Sequence, residues 1–108
     1  MSQWLKICDI NEIVPGTGVC ALVNGEQVAL FRPGQESCVA AISNLDPFAK
    51  ANVLSRGLIG EHQGELWVAS PLKKQRFNLR TGLCLEDERF SVKTYQTRVC
   101  DGMVEVAL

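Results

Sequence analysis

The side chains of this 108-residue chain that could do chemistry are few and poorly grouped. There is one histidine, His62, in Glu61-His62-Gln63-Gly64-Glu65, a stretch that reads as an exposed hairpin tip. A lone imidazole among turn residues is a weak metal signal and reads better as a solvated side chain. The five cysteines (Cys8, Cys20, Cys38, Cys84 and Cys100) are odd in number, widely spaced and outside any Cys-x-x-Cys or Cys-x-His arrangement. Scattered thiols of this kind suit a reducing compartment rather than a disulfide framework. Cys20, Cys38 and Cys100 lie in or beside apolar runs and are expected to be small buried hydrophobes. A Cys–His nucleophilic pair would have to be made from His62, and no catalytic signature surrounds any of the thiols. Glu86-Asp87-Glu88 places three acids in a row, a pattern of solvated loops more than of an acid–base pair. Gly16-Thr17-Gly18 lacks the third glycine and the helix of a dinucleotide loop. The one basic run, Lys73-Lys74-Gln75-Arg76, is short and has no interleaved aromatics for nucleic acid. It is either a solvated tip or a contact for an acidic partner.

The elements that must carry these residues read as short strands punctuated by turns. Trp4–Cys8 is a first strand. Asp9-Ile10-Asn11-Glu12 supplies a cap and a carboxylate three residues on, which predicts one helical turn. Asn24-Gly25, Gln63-Gly64 and Asp101-Gly102 sit between apolar runs and predict three hairpins, because their turn positions favour positive φ. Arg76–Leu79 is a further strand, Ser43–Leu58 reads as irregular, and Phe90–Val92 is ambiguous. Tyr95, Thr97 and Val99 alternate on one face before the last turn. Roughly eight or nine short strands at this spacing predict an all-β antiparallel sandwich or barrel with at most one or two short helical turns. No internal repeat, low-complexity tract or linker is visible, so one domain is expected over residues 1–108.

Bulk composition narrows the classes. The length supports a hydrophobic core without staples. A net charge of −1 argues against a general grip on nucleic acid or anionic lipid. The N-terminal residues do not read as a signal peptide, and no run approaches the ~20 apolar residues of a membrane helix. A cytoplasmic location is expected.

The region from Asn44 to Cys84 carries a resemblance. It contains Asn44-Leu45-Asp46-Pro47-Phe48, then Leu54-Ser55-Arg56-Gly57, then Ser70-Pro71-Leu72-Lys73-Lys74-Gln75-Arg76-Phe77 and a later Gly82. This resembles the cluster-binding region of Rieske proteins, whose pattern is Asn-x-Cys-Pro-His, Leu-x-x-Gly, and Cys-Pro-x-His-Gly-x-x-Phe-x-x-x-x-Gly. Asp46 and Phe48 stand at the first ligand pair and Ser70 and Lys73 at the second. A Rieske centre needs two thiolates on one iron and two imidazoles on the other. Carboxylate, phenyl, hydroxyl and ammonium do not supply that set. The resemblance implies a Rieske-like fold without its 2Fe–2S cluster, and no catalytic, cofactor-binding or metal residues on this chain.

Among such chains, the runs Ala41–Phe48, Val53–Ile59 and Gly64–Phe77 resemble the small subunit of the assimilatory NAD(P)H-dependent nitrite reductase. That resemblance implies an oxidoreductase complex of nitrate assimilation that reduces nitrite to ammonium. It implies a large-subunit partner carrying FAD, siroheme and an iron–sulfur cluster. Within the Rieske-like frame the two ligand loops form an exposed tip, which makes Phe48, Leu72, Lys73, Lys74 and Arg76 the candidate docking residues. Phe48 and Leu72 read equally well as filling the volume of the absent cluster. An Asp46–Lys73 pair across the loops would be a local clamp of about 0–1 kcal/mol if exposed. The alternatives are a stand-alone metal-free binding or regulatory module and an electron carrier with an unusual cluster.

Overall fold

The computed structural model describes residues 3–107. In chain order its strands are β1 (Trp4–Asp9), β2 (Thr17–Val23), β3 (Glu26–Arg32), β4 (Ala40–Ser43), β5 (Leu45–Asp46), β6 (Ala51–Asn52), β7 (Leu58–His62), β8 (Glu65–Ala69), β9 (Arg76–Asn78), β10 (Thr94–Tyr95), β11 (Thr97–Cys100) and β12 (Met103–Ala107). Two 3₁₀ turns, Ile10–Glu12 and Leu54–Arg56, complete the set. All strand pairs are antiparallel.

The strands form three main sheets and one small hairpin. The outer sheets are β1-β12-β11 and β7-β8-β9, and the middle one is β10-β4-β3-β2. Strand β3 shows why the middle sheet is buried on both sides. Its run Val28-Ala29-Leu30-Phe31 is continuously apolar and fully buried rather than alternating, as expected of a strand covered on both faces. Val28 and Leu30 enter one core with Ile10, Ile13, Val104 and Val106. Ala29 and Phe31 enter the other with Ile42, Leu54, Val68 and Phe77. The small hairpin β5-β6 and the β7-β8-β9 sheet carry the two ligand-position loops.

Local signals set the turns. Asn24-Gly25, Gln63-Gly64 and Asp101-Gly102 have φ of 52°/81°, 52°/81° and 51°/78°, the two successive left-handed residues of a tight hairpin turn. Asp9 and Glu12 form the capping box expected of the first helical turn.

Three expectations need correction, and the structure decides one stretch that the sequence left open. Cys20, Cys38 and Cys100 are exposed, and Cys84 is the buried thiol. Cys20 lies on the outer face of the edge strand β2, and Cys38 and Cys100 lie in or next to loops, so the apolar runs around them did not place them inside. The stretch 43–58 is not irregular: it folds as β5, β6 and a 3₁₀ turn. Phe90–Val92 forms no strand, and Ser91 makes only an isolated bridge to Leu83. Tyr95 and Thr97 belong to different sheets, β10 with β4 and β11 with β12.

Candidate functional site

The two loops at the ligand positions are built alike. Asp46-Pro47-Phe48-Ala49-Lys50 connects β5 to β6, and Ser70-Pro71-Leu72-Lys73-Lys74 leads from β8 toward β9. In the first, Asp46 Oδ1 accepts hydrogen bonds from the Phe48 and Ala49 amides at 2.8 and 3.2 Å. In the second, Ser70 Oγ accepts longer ones from the Leu72 and Lys73 amides at 3.3 and 3.4 Å. The fifth residue then closes each turn: the Lys50 amide donates to the Asp46 carbonyl at 2.7 Å, and the Lys74 amide to the Ser70 carbonyl at 3.1 Å. A short polar side chain that folds its own backbone in this way is the Asx or hydroxyl turn. No internal repeat was legible in the sequence, yet the loops are two copies of one five-residue turn.

Their polar leads meet. Asp46 is fully buried and Ser70 almost so, and the Ser70 hydroxyl donates a short hydrogen bond to Asp46 Oδ2. The buried carboxylate thus accepts from one hydroxyl and two amides, and the hydroxyl donates once and accepts twice. These hydrogen bonds offset the loss of water that would otherwise make burying so polar a group costly. The cross-loop pair is Asp46–Ser70; Lys73 is exposed and makes no ion pair among the described residues. The hydroxyl wins because it reaches Asp46 inside the core, where an ammonium would have to be desolvated.

The other predicted residues separate. Phe48 is half-buried, its ring centroid 4.4 Å from Phe90 and 6.2 Å from Phe77, packed on the second core. Arg76 is committed to Glu86: its Nε donates at 2.6 Å and its backbone amide at 2.7 Å. Its guanidinium also lies over the Trp67 ring at 5.3 Å. Partial burial pushes the Glu86 carboxyl up, and the hydrogen bonds from Arg76 outweigh that and hold it below the ordinary range. Leu72, Lys73 and Lys74 stay exposed. His62 is exposed at the β7–β8 turn, as its sequence context predicts.

Sequence reasoning missed several residues. Arg32 is buried and donates to the carbonyls of Ile10 and Ile13, both at 3.1 Å, and of Gln35 at 2.8 Å. Asn44 is buried; it accepts from the Ser55 amide at 2.7 Å and donates to Gln27 Oε1 at 3.1 Å, tying the loop base to β3. Lys50 had a signal, the Pro-apolar-x-Lys spacing it shares with Lys74. Arg56 had none.

Partial loss of water raises the Cys8 thiol above the usual range, with Glu12 and Asp9 adding to it, and raises the Cys20 thiol through its partly covered base although the residue is exposed. Neither is poised as a nucleophile at neutral pH. Among the described residues no group of three or more His, Cys, Asp or Glu side chains is placed to hold a metal ion.

Residues 3–107 match the family model described as "Rieske-like [2Fe-2S] domain". A nitrite reductase (NADH) small subunit of Salmonella typhimurium is 70% identical over 106 residues, which is 98% of each chain. The chain belongs to the nitrite reductase (NADH) small-subunit family of Rieske-like domains. The NMR structure of the E. coli protein NirD superposes with a TM-score of 0.92 at 66% identity, covering 100% of this chain and 98% of that one. A further relative is 43% identical over 103 residues, 95% of this chain but 11% of its own length: the nitrite reductase [NAD(P)H] large subunit of Klebsiella oxytoca. In that protein the small-subunit-like stretch is part of the large-subunit polypeptide.

The cluster named in the family description does not fit this member. At its ligand positions a phenyl ring packs on the core, a hydroxyl is spent on a carboxylate, and an ammonium points to solvent as the fourth group. None of the four is the thiolate or imidazole that iron of this type requires. The described residues also hold no helix long and apolar enough to cross a membrane.

Proposed function

We propose that this chain is the non-catalytic small subunit of a cytoplasmic NADH-dependent nitrite reductase and acts as one Rieske-like unit docked on the large subunit. The observation that carries this reading is the near-complete match to NADH nitrite reductase small subunits. The Klebsiella oxytoca relative supports it further, since there the same domain is joined covalently to the large subunit. The six-electron reduction of nitrite to ammonium and the oxidation of NADH need cofactors. In this reading they are FAD, siroheme and an iron–sulfur cluster, all on the partner. The small subunit contributes binding energy: a domain that binds only the folded large subunit stabilises it by mass action.

The test is affinity capture of the tagged chain from nitrite-grown cells, with an absorption spectrum of what is recovered. Co-recovery of a large polypeptide with flavin and siroheme bands, beside a colourless small chain, is the expected result. Recovery of the chain alone, or with a partner lacking those bands, would overturn the subunit reading in favour of a free-standing binding module.

A further inference from the structure

The positive charges of the chain fall into two sets. Arg76, Arg80, Arg89, Lys93 and Arg98 are engaged with carboxylates, and Arg32 is buried on backbone carbonyls. The remaining cations, which form no ion pair among the described residues, are Lys6, Lys50, Arg56, Lys73 and Lys74. All of these but Lys6 gather at one end. Lys50 and Lys74 close the twin turns, which the Asp46–Ser70 hydrogen bond holds side by side. Arg56 precedes Gly57, which lies against the Ala69 carbonyl, one residue from Ser70. Leu58 pairs with Ala69 and is 79% exposed, and Leu72 is 57% exposed. On the flanking loop Glu86 and Asp87 are taken by Arg76 and Arg89, so Glu88 is the acid there without a cation.

Backbone strain singles out two of these lysines. Among the described residues five non-glycine residues have positive φ, and Asn24, Gln63 and Asp101 do so as the first residues of tight hairpin turns, each followed by glycine. The other two are Lys50 at 54° and Lys74 at 69°. Lysine has no short side chain to stabilise that conformation, and glycine would adopt it without strain. Neighbouring like charges within a Debye length of about 10 Å also repel. Neither feature benefits the free domain.

We propose that Lys50 and Lys74, with Arg56, Lys73, Leu58 and Leu72, form a docking face for an acidic, partly apolar surface of the reductase large subunit. The proposal rests on the subunit reading and adds to it the face and the charge of the partner. Four unpaired cations call for carboxylates opposite them, and the two leucines call for apolar contact beside those carboxylates. The occupant follows from the Klebsiella oxytoca relative, in which this domain is part of the large-subunit chain.

The test measures affinity between the purified large subunit and the full small chain at several ionic strengths, alongside the melting temperature of each small-chain variant. K50G and K74G relieve the backbone while removing the charge, so they are expected to melt no lower than wild type. Each is nevertheless expected to weaken binding about tenfold, with a shallower salt dependence. Lys6→Glu, on an unpaired cation outside this end, should bind within about twofold of wild type. If wild type binds and the two glycine variants bind equally well, the face is wrong and the subunit reading stands. If K6E weakens binding as much as they do, a diffuse charge effect replaces the face. If this end pairs with a second copy of the chain instead, the face is wrong and the subunit reading stands; if wild type does not bind the large subunit at all, the proposal and the reading fall together.

Discussion

Asp46 and Ser70 join the two loops by a buried hydrogen bond. Removing the hydroxyl with Ser70→Ala leaves one oxygen of a buried carboxylate without its donor, and should cost about 1–3 kcal/mol in urea unfolding. Asp46 stood out in the sequence because the proline and apolar residues around it keep the spacing of the Rieske-like motif. Its partner did not, because Lys73 and Ser70 sit in the same loop and only the path of the backbone decides which reaches inward. Glu86 gives a pH-dependent test. Its carboxylate is favoured in the folded chain by Arg76. Its contribution is therefore complete above the unfolded carboxylate value near ~4.3 and is lost as pH falls through the lower folded value. The gap in melting temperature between wild type and Glu86→Gln should accordingly narrow between about pH 5 and pH 3. The pair is more than a third exposed, so the effect should stay within about 1 kcal/mol.

At the scale of elements, the hairpins follow from two-residue turn chemistry and were predicted where they occur. The small β5–β6 hairpin was not, because no Asn-Gly or Asp-Gly marks it. Its turn is made by the Asp46 side chain and closed by Lys50, a backbone conformation lysine rarely adopts. Close packing limits the β7–β8 hairpin in a different way. A methyl group at Gly60 would run into the Trp67 ring on the paired strand. Gly60→Ala should destabilise the domain by about 1–3 kcal/mol and displace the indole, which tryptophan fluorescence and thermal melting together would register.

For the whole molecule, β3 decides the architecture. A strand buried on both faces ties two cores together, so the loop-bearing sheet is anchored by apolar packing through Phe31, Ile42 and Leu54. The expected consequence is that a strong chelator leaves the thermal melting curve of this chain unchanged; a fall in melting temperature would contradict a core held by packing. The cysteines belong to this scale as well. Apolar neighbours on an edge strand do not bury a thiol whose own side faces outward, and for that reason Cys20 is exposed between the half-buried Val19 and Ala21.

The amino-acid sequence alone determined which side-chain types stand at Asp46, Phe48, Ser70 and Lys73, none of them a thiolate or an imidazole. It also determined the hairpin turns, whose φ preferences depend on adjacent residues. Tertiary structure alone decided which groups face one another. Ser70 reaches Asp46 across a separation of 24 residues, Arg32 threads inward to carbonyls near the first helical turn, and four unpaired cations collect at one end. Partnerships of this kind depend on how strands register and stack, and the energy that sets that register is spread over two cores rather than written in any local motif.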